Sequence, residues 1–329
     1  MRPSARFGSA IVGTGHYVPE RVLTNEDLMR WMDTSDEWIT ARTGVKERRL
    51  AAEDENAGTM ALAASRLALA DAGITAADLD LIIVCTVTPE AALPSTACLL
   101  QHRLGIASTG IPAFDLSAAC SGFLYGLATA HAHMQVGRLN HVLLVGVDLV
   151  SRLTDYTSRS TSILFGDGAG AVVLRRTEGG ERGVLYTKLC ADGSGHVLIH
   201  ATGPWGTGPG GGTAGFMKMD GPKVYKLAVT RMGEAIEDAL KACGLSVAEV
   251  DMLIPHQANR RIIDSVAHKL GLGADRVFIN IDRVGNTSAA SIPIAYDQCR
   301  RAGRIQPNDL VVMAAFGAGL TWGSAVVRA

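Results

Sequence analysis

Short, wholly apolar runs alternate along the chain with longer stretches whose apolar positions recur at helical spacing. Leu81 to Val84, Ile111 to Leu116, Met252 to Pro255 and Val277 to Ile281 read as buried strands, with Ala10 to Val12 opening the series. Several intervening segments stop at a glycine that can cap a helix, as at Gly73 and Gly244. Strands alternating with helices predict an α/β protein whose parallel or mixed sheets are covered by helices.

The pattern occurs twice. Leu69 to Ile83 (LADAGITAADLDLII) matches Leu240 to Ile254 (LKACGLSVAEVDMLI) position by position. Each copy reads as a helix end, a Ser/Thr-started turn and a strand. The next helices end in Leu104-Gly-Ile and Leu270-Gly-Leu, and the following strands end near Asp115 and Asn280. Late in each half, Gly168-Ala-Gly-Ala-Val-Val mirrors Trp322-Gly-Ser-Ala-Val-Val. A repeat this long is no solenoid period; it implies two copies of one α/β unit. The polar, glycine-containing break at Thr177 to Glu181 divides them into 1–177 and 178–329. Ligands gather at the carboxyl ends of strands in such folds, so equivalent strand ends of the two halves are expected to converge on one site.

Composition narrows the field. The 329 residues are 47% hydrophobic and 5% aromatic, with a net charge of −1, so no bulk charge draws the chain to nucleic acid or a membrane. No apolar run reaches the length of a membrane span, and Met1-Arg-Pro-Ser-Ala-Arg lacks a signal-peptide core. The six cysteines include no Cys-x-x-Cys pair, so neither zinc nor a redox disulfide is expected, and a reducing cytoplasm is the expected setting. Gly13-Thr-Gly15 is not a dinucleotide fingerprint, and no P-loop lysine follows a glycine-rich loop. Gly203 to Gly212 reads as a surface loop.

Cys120 is the strongest candidate for chemistry. It follows the Ile111–Leu116 strand and a small-residue turn, at the start of a helix containing Gly122, Gly126, Ala128 and Ala130. Unpaired N–H groups and the helix dipole at that position favour thiolate, and small neighbours admit a substrate. The other cysteines (Cys85, Cys98, Cys190, Cys243, Cys299) read as core thiols. His256 follows the Met252–Pro255 strand. Asn286 follows the Val277–Ile281 strand at nearly the offset of Cys120 from its own strand. Alone, a structural histidine and a cap or turn asparagine are the commoner roles; the duplication is what groups the three.

His256-Gln-Ala-Asn259, Asp115-Leu-Ser-Ala-Ala-Cys-Ser-Gly122, Gly285-Asn-Thr-Ser288 and Phe165-Gly-Asp-Gly-Ala-Gly170 together resemble the signatures of the β-ketoacyl-acyl carrier protein synthase III family. The resemblance runs from Ile11-Val-Gly-Thr-Gly to Phe316-Gly-Ala-Gly-Leu-Thr-Trp-Gly. It implies the thiolase-like fold, an internally duplicated five-layered α/β/α/β/α architecture with mixed sheets. It also implies a homodimer with a Cys120–His256–Asn286 triad, an acyl-CoA primer and malonyl-acyl carrier protein as substrates, and no metal or other cofactor. By the same resemblance the oxyanion hole is the backbone N–H of Cys120 and of Ala318, the latter a glycine in the family's pattern. Trp38 and Arg159 match an adenine sandwich, Arg42 a phosphate contact, and Gly221 and Asn259 the pantetheine arm. Lys226, Arg261 and Lys269 match a patch for the acidic carrier protein. Leu93, in Ala91-Ala-Leu-Pro94, matches a residue that closes the acyl pocket of the partner subunit.

The chemistry suits these residue types. A Claisen condensation needs an acyl thioester, which Cys120 can carry. It also needs donors for the enolate oxygen formed when malonyl loses carbon dioxide, which a neutral His256 and the Asn286 amide can supply. Four other readings compete. One is a thiolase-fold acyltransferase or secondary-metabolism ketosynthase with a different acceptor. A second is a biosynthetic thiolase, disfavoured because no second cysteine lies near Gly317-Ala-Gly319. The third is a papain-like hydrolase, disfavoured by the context of the thiol and by the duplication. A non-catalytic acyl-binding protein requires an unreactive Cys120. The primer and the pathway stay open.

Overall fold

The computed structural model describes residues 7–136, 139–179, 182–202 and 215–329; the glycine-rich stretch 203–212 lies outside the described residues. In the first half, β1 (Phe7–Tyr17) leads to a small hairpin, β2 (Val22–Thr24) and β3 (Glu47–Arg49), which encloses α1 (Asn25–Leu28) and α2 (Asp36–Thr43). Next come α3 (Ala57–Ala72), β4 (Leu81–Cys85), α4 (Thr96–Arg103), β5 (Ala113–Leu116), α5 (Gly122–Val136), β6 (His141–Leu149) and β7 (Asp167–Glu178). The second half opens with β8 (Gly183–Ala191), β9 (Ile199–His200) and β10 (Lys218–Met219). It continues with α6 (Gly221–Cys243), β11 (Met252–Pro255), α7 (Arg260–Leu270), α8 (Ile281–Val284), α9 (Ser291–Arg301), β12 (Leu310–Gly317) and β13 (Thr321–Arg328).

The first large sheet has the order β1-β7-β6-β4-β5, and the second β8-β13-β12-β11. In both, the central strands pair in parallel (β6 with β4 and β4 with β5; β12 with β11) while the remaining pairs are antiparallel. The halves therefore repeat one mixed topology. They differ at one edge. The strand expected over Val277–Ile281 reduces to a single parallel bridge, Leu253 to Val277, and residues 281–284 turn into α8. Asn280 breaks the run, because its buried amide bonds Gln298 and its N–H is taken by Gln257.

Alternation along the strands sorts side chains into layers. Leu81, Ile83 and Cys85 of β4 and Met252 and Ile254 of β11 face inward. There they meet Phe123, Leu124 and Leu127 of α5 and Ile292, Ala295 and Tyr296 of α9 in one core between the sheets. Ile82 and Val84 face outward onto Met60, Ala64 and Ala68 of α3 and Leu100 of α4. Leu253, Val312 and Ala314 face Met232, Ile236, Ile263 and Val266 of α6 and α7. The stack reads helix, sheet, helix, sheet, helix, the five layers expected. Gly73 and Gly244 end α3 and α6 in the left-handed conformation, at φ 66° and 72°.

Candidate active site

Each half carries a sharp elbow just before its central helix. In the first, Ala119–Ser121 form a single 3-10 turn that runs into α5; in the second, Ser288–Ala290 do the same before α9. Ala119 and Ser288 hold φ of 47° and 51°, a strained region for residues other than glycine. Cys120 is thus the structural equivalent of Ala289. Asn286 stands two residues before its elbow, so it is not the structural equivalent of Cys120.

The elbow of Cys120 is locked from the second half. The Thr321 hydroxyl reaches Ala118 O at 3.1 Å and Ala318 O at 3.0 Å, and the Ser121 hydroxyl donates to Thr321 O at 3.0 Å. A side chain on Gly317 would place its Cβ 2.8 Å from the Cys120 nitrogen, so only glycine lets the β12 end approach this turn. Among the described residues, neither the Cys120 N–H nor the Ala318 N–H has an acceptor on another residue. Two pinned donors with no internal partner suit an oxyanion.

Cys120, His256, Asn286, Ser288, Gly317 and Ala318 line one cavity of about 1050 Å³, whose wall is otherwise mostly aliphatic. Burial first, then the Asp148 charge, pushes the Cys120 thiol up to about 11, while the Ser288 hydroxyl pulls the other way. The resting residue is a thiol, so the thiolate expected from the helix terminus alone is outweighed by desolvation. His256 is 1% exposed, and burial without an acidic partner lowers it to about 3. Its ring is neutral, and Nδ1 is buried with no hydrogen-bond partner among the described residues. The Ser288 N–H donates to Asn286 Oδ1 at 2.9 Å, which fixes the amide with Nδ2 as the remaining donor. The Asn286 backbone is itself anchored: its N–H donates to Leu164 O and its carbonyl accepts from Gly166 N. A neutral imidazole and an oriented amide can both serve a developing enolate.

The entrance residues are arranged less simply. Arg42, Gly221, Asn259 and Arg261 line the cavity. Both ends of the Asn259 amide are bonded: Oδ1 caps α7 by accepting from Arg261 N at 2.8 Å, and Nδ2 donates to Arg42 O at 3.0 Å. It joins α7 to the end of α2. Trp38 has the Arg42 guanidinium 4.1 Å and that of Arg159 4.5 Å from its ring centroid, and Arg159 also donates to Asp33 O. That spacing leaves no room for an adenine between Trp38 and Arg159. Lys226, Arg261 and Lys269 are exposed on α6 and α7, and Arg261 lies 5.8 Å over Tyr225. Leu93 is 87% exposed and does not line its own chain's cavity, although Ala91 and Ala92 do. No group of three or more metal-ligating side chains occurs among the described residues, nor is any helix there long and apolar enough to cross a membrane.

Sequence reasoning passed over Asp148, Ser288 and Thr321. A carboxylate inside the apolar run Val142–Leu149 was the available signal for the first, and Ser288 lay within a motif already singled out. Thr321 lay within Phe316-Gly-Ala-Gly-Leu-Thr-Trp-Gly, where no chemistry set it apart.

The chain is similar to known proteins over nearly its whole length. A family model described as 3-oxoacyl-[acyl-carrier-protein (ACP)] synthase III matches residues 114–193, and one described as the C terminal of the same synthase matches residues 240–329. The β-ketoacyl-[acyl-carrier-protein] synthase III of Rhodospirillum centenum is 49% identical over 323 residues, 97% of this chain and 98% of that protein. The crystal structure of 3-oxoacyl-[acyl-carrier-protein] synthase III from Aquifex aeolicus VF5 has a TM-score of 0.92 at 46% identity, covering 98% of this chain and 100% of that one. The priming β-ketosynthase of the R1128 polyketide pathway has a TM-score of 0.91 at 36% identity, covering 100% and 98%. The two family models fall on the segments that carry the thiol and its two donors, and the full-length likeness joins them: the chain belongs to the 3-oxoacyl-[acyl-carrier-protein] synthase III family of condensing acyltransferases.

Proposed function

We propose that the protein loads a short acyl group from acyl-CoA onto Cys120 and condenses it with malonyl-acyl carrier protein, releasing carbon dioxide and a β-ketoacyl-carrier product. The observation that carries this reading is the convergence, in one mostly apolar cavity, of a thiol, a neutral imidazole, an oriented amide and two N–H groups without internal acceptors. In the first step Cys120 Sγ attacks the thioester carbonyl and the Cys120 and Ala318 N–H groups hold the oxyanion; the bond to coenzyme A then breaks, and acyl-Cys120 and free coenzyme A thiol, which takes up the proton Cys120 gives up, result. In the second, malonyl loses carbon dioxide while His256 and Asn286 Nδ2 donate to the enolate oxygen. The enolate carbon then attacks acyl-Cys120, and the β-keto thioester leaves on the carrier.

No metal or other cofactor has a part in this scheme. Fatty acid priming is preferred over secondary metabolism, because identity is 49% and 46% to the two synthase III relatives and 36% to the polyketide enzyme. The proposal extends to a cytoplasmic homodimer. In it the Ala91–Pro94 segment crosses to the partner, Leu93 closes the partner's acyl pocket, and Lys226, Arg261 and Lys269 receive the acidic carrier. An 87% exposed leucine beside cavity-lining alanines supports that arrangement. Incubating the enzyme with a panel of acyl-CoAs and malonyl-carrier protein, then measuring product mass, tests the reaction. A carrier thioester two carbons longer than the primer is expected. Hydrolysis to free acid, or transfer to another nucleophile, would overturn it.

A further inference from the structure

Arg48, on β3, is fully buried beside the two segments that hold Asn286. Nη1 donates to Leu23 O at 3.0 Å, and Nη2 donates to Asn25 Oδ1 and to Ile163 O, both at 2.9 Å. Nε is buried with no hydrogen-bond partner among the described residues. Burial pulls the guanidinium down to about 10, so it stays a cation at neutral pH. A cation held on neutral oxygens costs more desolvation than an apolar side chain of the same size would. The bonds to Leu23 and Asn25 staple the β2–β3 hairpin, a task that apolar packing could also perform. The third bond leaves the hairpin and takes hold of the cavity wall, which Ile163, Leu164 and Phe165 help to form.

That stretch of wall is the support of Asn286. Residues 164–166 and 284–286 run side by side, with Phe165 in a parallel bridge to Asn286. Asn286 N donates to Leu164 O at 2.8 Å, and Gly166 N donates to Asn286 O at 3.0 Å. The stem of Arg48 covers this crossing: a Cβ on Gly285 would stand 3.0 Å from Arg48 Cβ, and one on Gly166 3.3 Å. The same strand reaches α8 through Lys46 N, which donates to Asp282 O at 3.0 Å. We propose that Arg48 is a positioning residue for Asn286, fixing the backbone from which the amide reaches the enolate oxygen; this rests on Asn286 being a donor in decarboxylation. The elbow of Cys120 is pinned by Thr321 instead, so acyl loading draws on a different support.

Malonyl decarboxylation and single-turnover acylation by a short acyl-CoA, measured on the same preparations of wild type, Arg48→Lys, Asn286→Ala and the double variant, test this. Arg48→Lys keeps the charge and most of the stem, but its compact ammonium cannot span the three oxygens as the planar fork does. It is expected to lose about tenfold to a hundredfold in the kcat of decarboxylation, while acylation stays within about threefold of wild type. Acylation thereby reports the folded, competent fraction. Added to Asn286→Ala, Arg48→Lys is expected to cost less than about twofold more, because both act through one amide. Equal loss in both half-reactions, including that of a variant that no longer folds, makes Arg48 a structural residue and overturns the proposal. So does a full multiplicative loss in the double variant, or wild-type decarboxylation in Arg48→Lys. Wild-type decarboxylation in Asn286→Ala would instead refute the donor reading beneath it.

Discussion

The two elbows are one device built twice, and only one of them is open to chemistry. Cys120 and Ala289 occupy equivalent places, each just after a residue at positive φ and just before a central helix. Their surroundings differ at a duplicated strand position. Asp80 N bonds His141 O as Asp251 N bonds Leu310 O, so β6 and β12 align and Asp148 is the counterpart of Gly317. At the first elbow Gly317 leaves the Cys120 N–H without an internal acceptor. At the second, the Asp148 carboxylate sits on the Ala289 N–H, in the role an oxyanion would play. A fold that repeats its geometry thus separates active from silent by what the opposing strand presents: nothing in one half, a fixed anion in the other.

The comparison is broken most severely by exchanging the thiol. Cys120→Ala combined with Ala289→Cys is expected to give no acyl adduct at residue 289, because that site is 1% exposed and its N–H is engaged. Peptide mapping after acyl-CoA exposure reads this, with Cys120→Ser as a second adduct-free control. Next in size is Gly317→Ala, whose methyl would press on the Cys120 nitrogen and Cβ. Loss of that oxyanion donor, together with displacement of the thiol, is expected to slow both acylation and condensation by about a thousandfold. A rate within tenfold of wild type would mean that the Cys120 N–H is not used.

Smaller and more selective effects are expected from the donors of the second half. His256→Ala or Asn286→Ala removes a donor worth about 2.7–4 kcal/mol of transition-state stabilisation, seen as lost malonyl decarboxylation with acylation partly retained. Assays of the two half-reactions decide this; equal loss in both would assign these residues to thiol activation. The raised thiol gives a pH signature. Only thiolate reacts with an alkylating agent, and a thiol titrating at about 11 is ionised to about one part in ten thousand at pH 7. Labelling of Cys120 in the free enzyme is therefore expected to keep rising through pH 9, where an ordinary thiol begins to level off. A plateau near pH 7 would show an ion-paired thiolate. The mildest change is Leu93→Phe, which is expected to penalise long or branched primers by about 1–3 kcal/mol relative to acetyl. Placing it on one subunit and Cys120→Ala on the other tests whether it acts on the partner's pocket. Unchanged primer preference in that mixed dimer would remove Leu93 from the pocket.

The layered fold was legible because the duplication and the wholly apolar strand runs are written locally. Leu69–Ile83 and Leu240–Ile254 announce the same helix, turn and strand, and their inward and outward residues sort as the periodicity requires. The edge at Val277 was not legible, since an apolar run does not reveal that Asn280 finds its partners in Gln257 and Gln298. The thiol, imidazole and amide could be placed in one region from the duplication. Their protonation could not be, because helix termini are visible in sequence whereas the depth of a cavity is not. Asn259 shows the same limit: the cap it provides for α7 follows from its position, but its bond to Arg42 O joins residues far apart in the chain.

Tracking a single acyl group through the site tests the central claim most directly. The enzyme is exposed to a short acyl-CoA, mapped for its adduct by mass spectrometry, then chased with malonyl-carrier protein. The account predicts one acyl group, on Cys120, that disappears during the chase as a β-ketoacyl-carrier two carbons longer than the primer appears. An adduct on Cys98 or Cys299, or acyl-Cys120 that survives the chase, would contradict it.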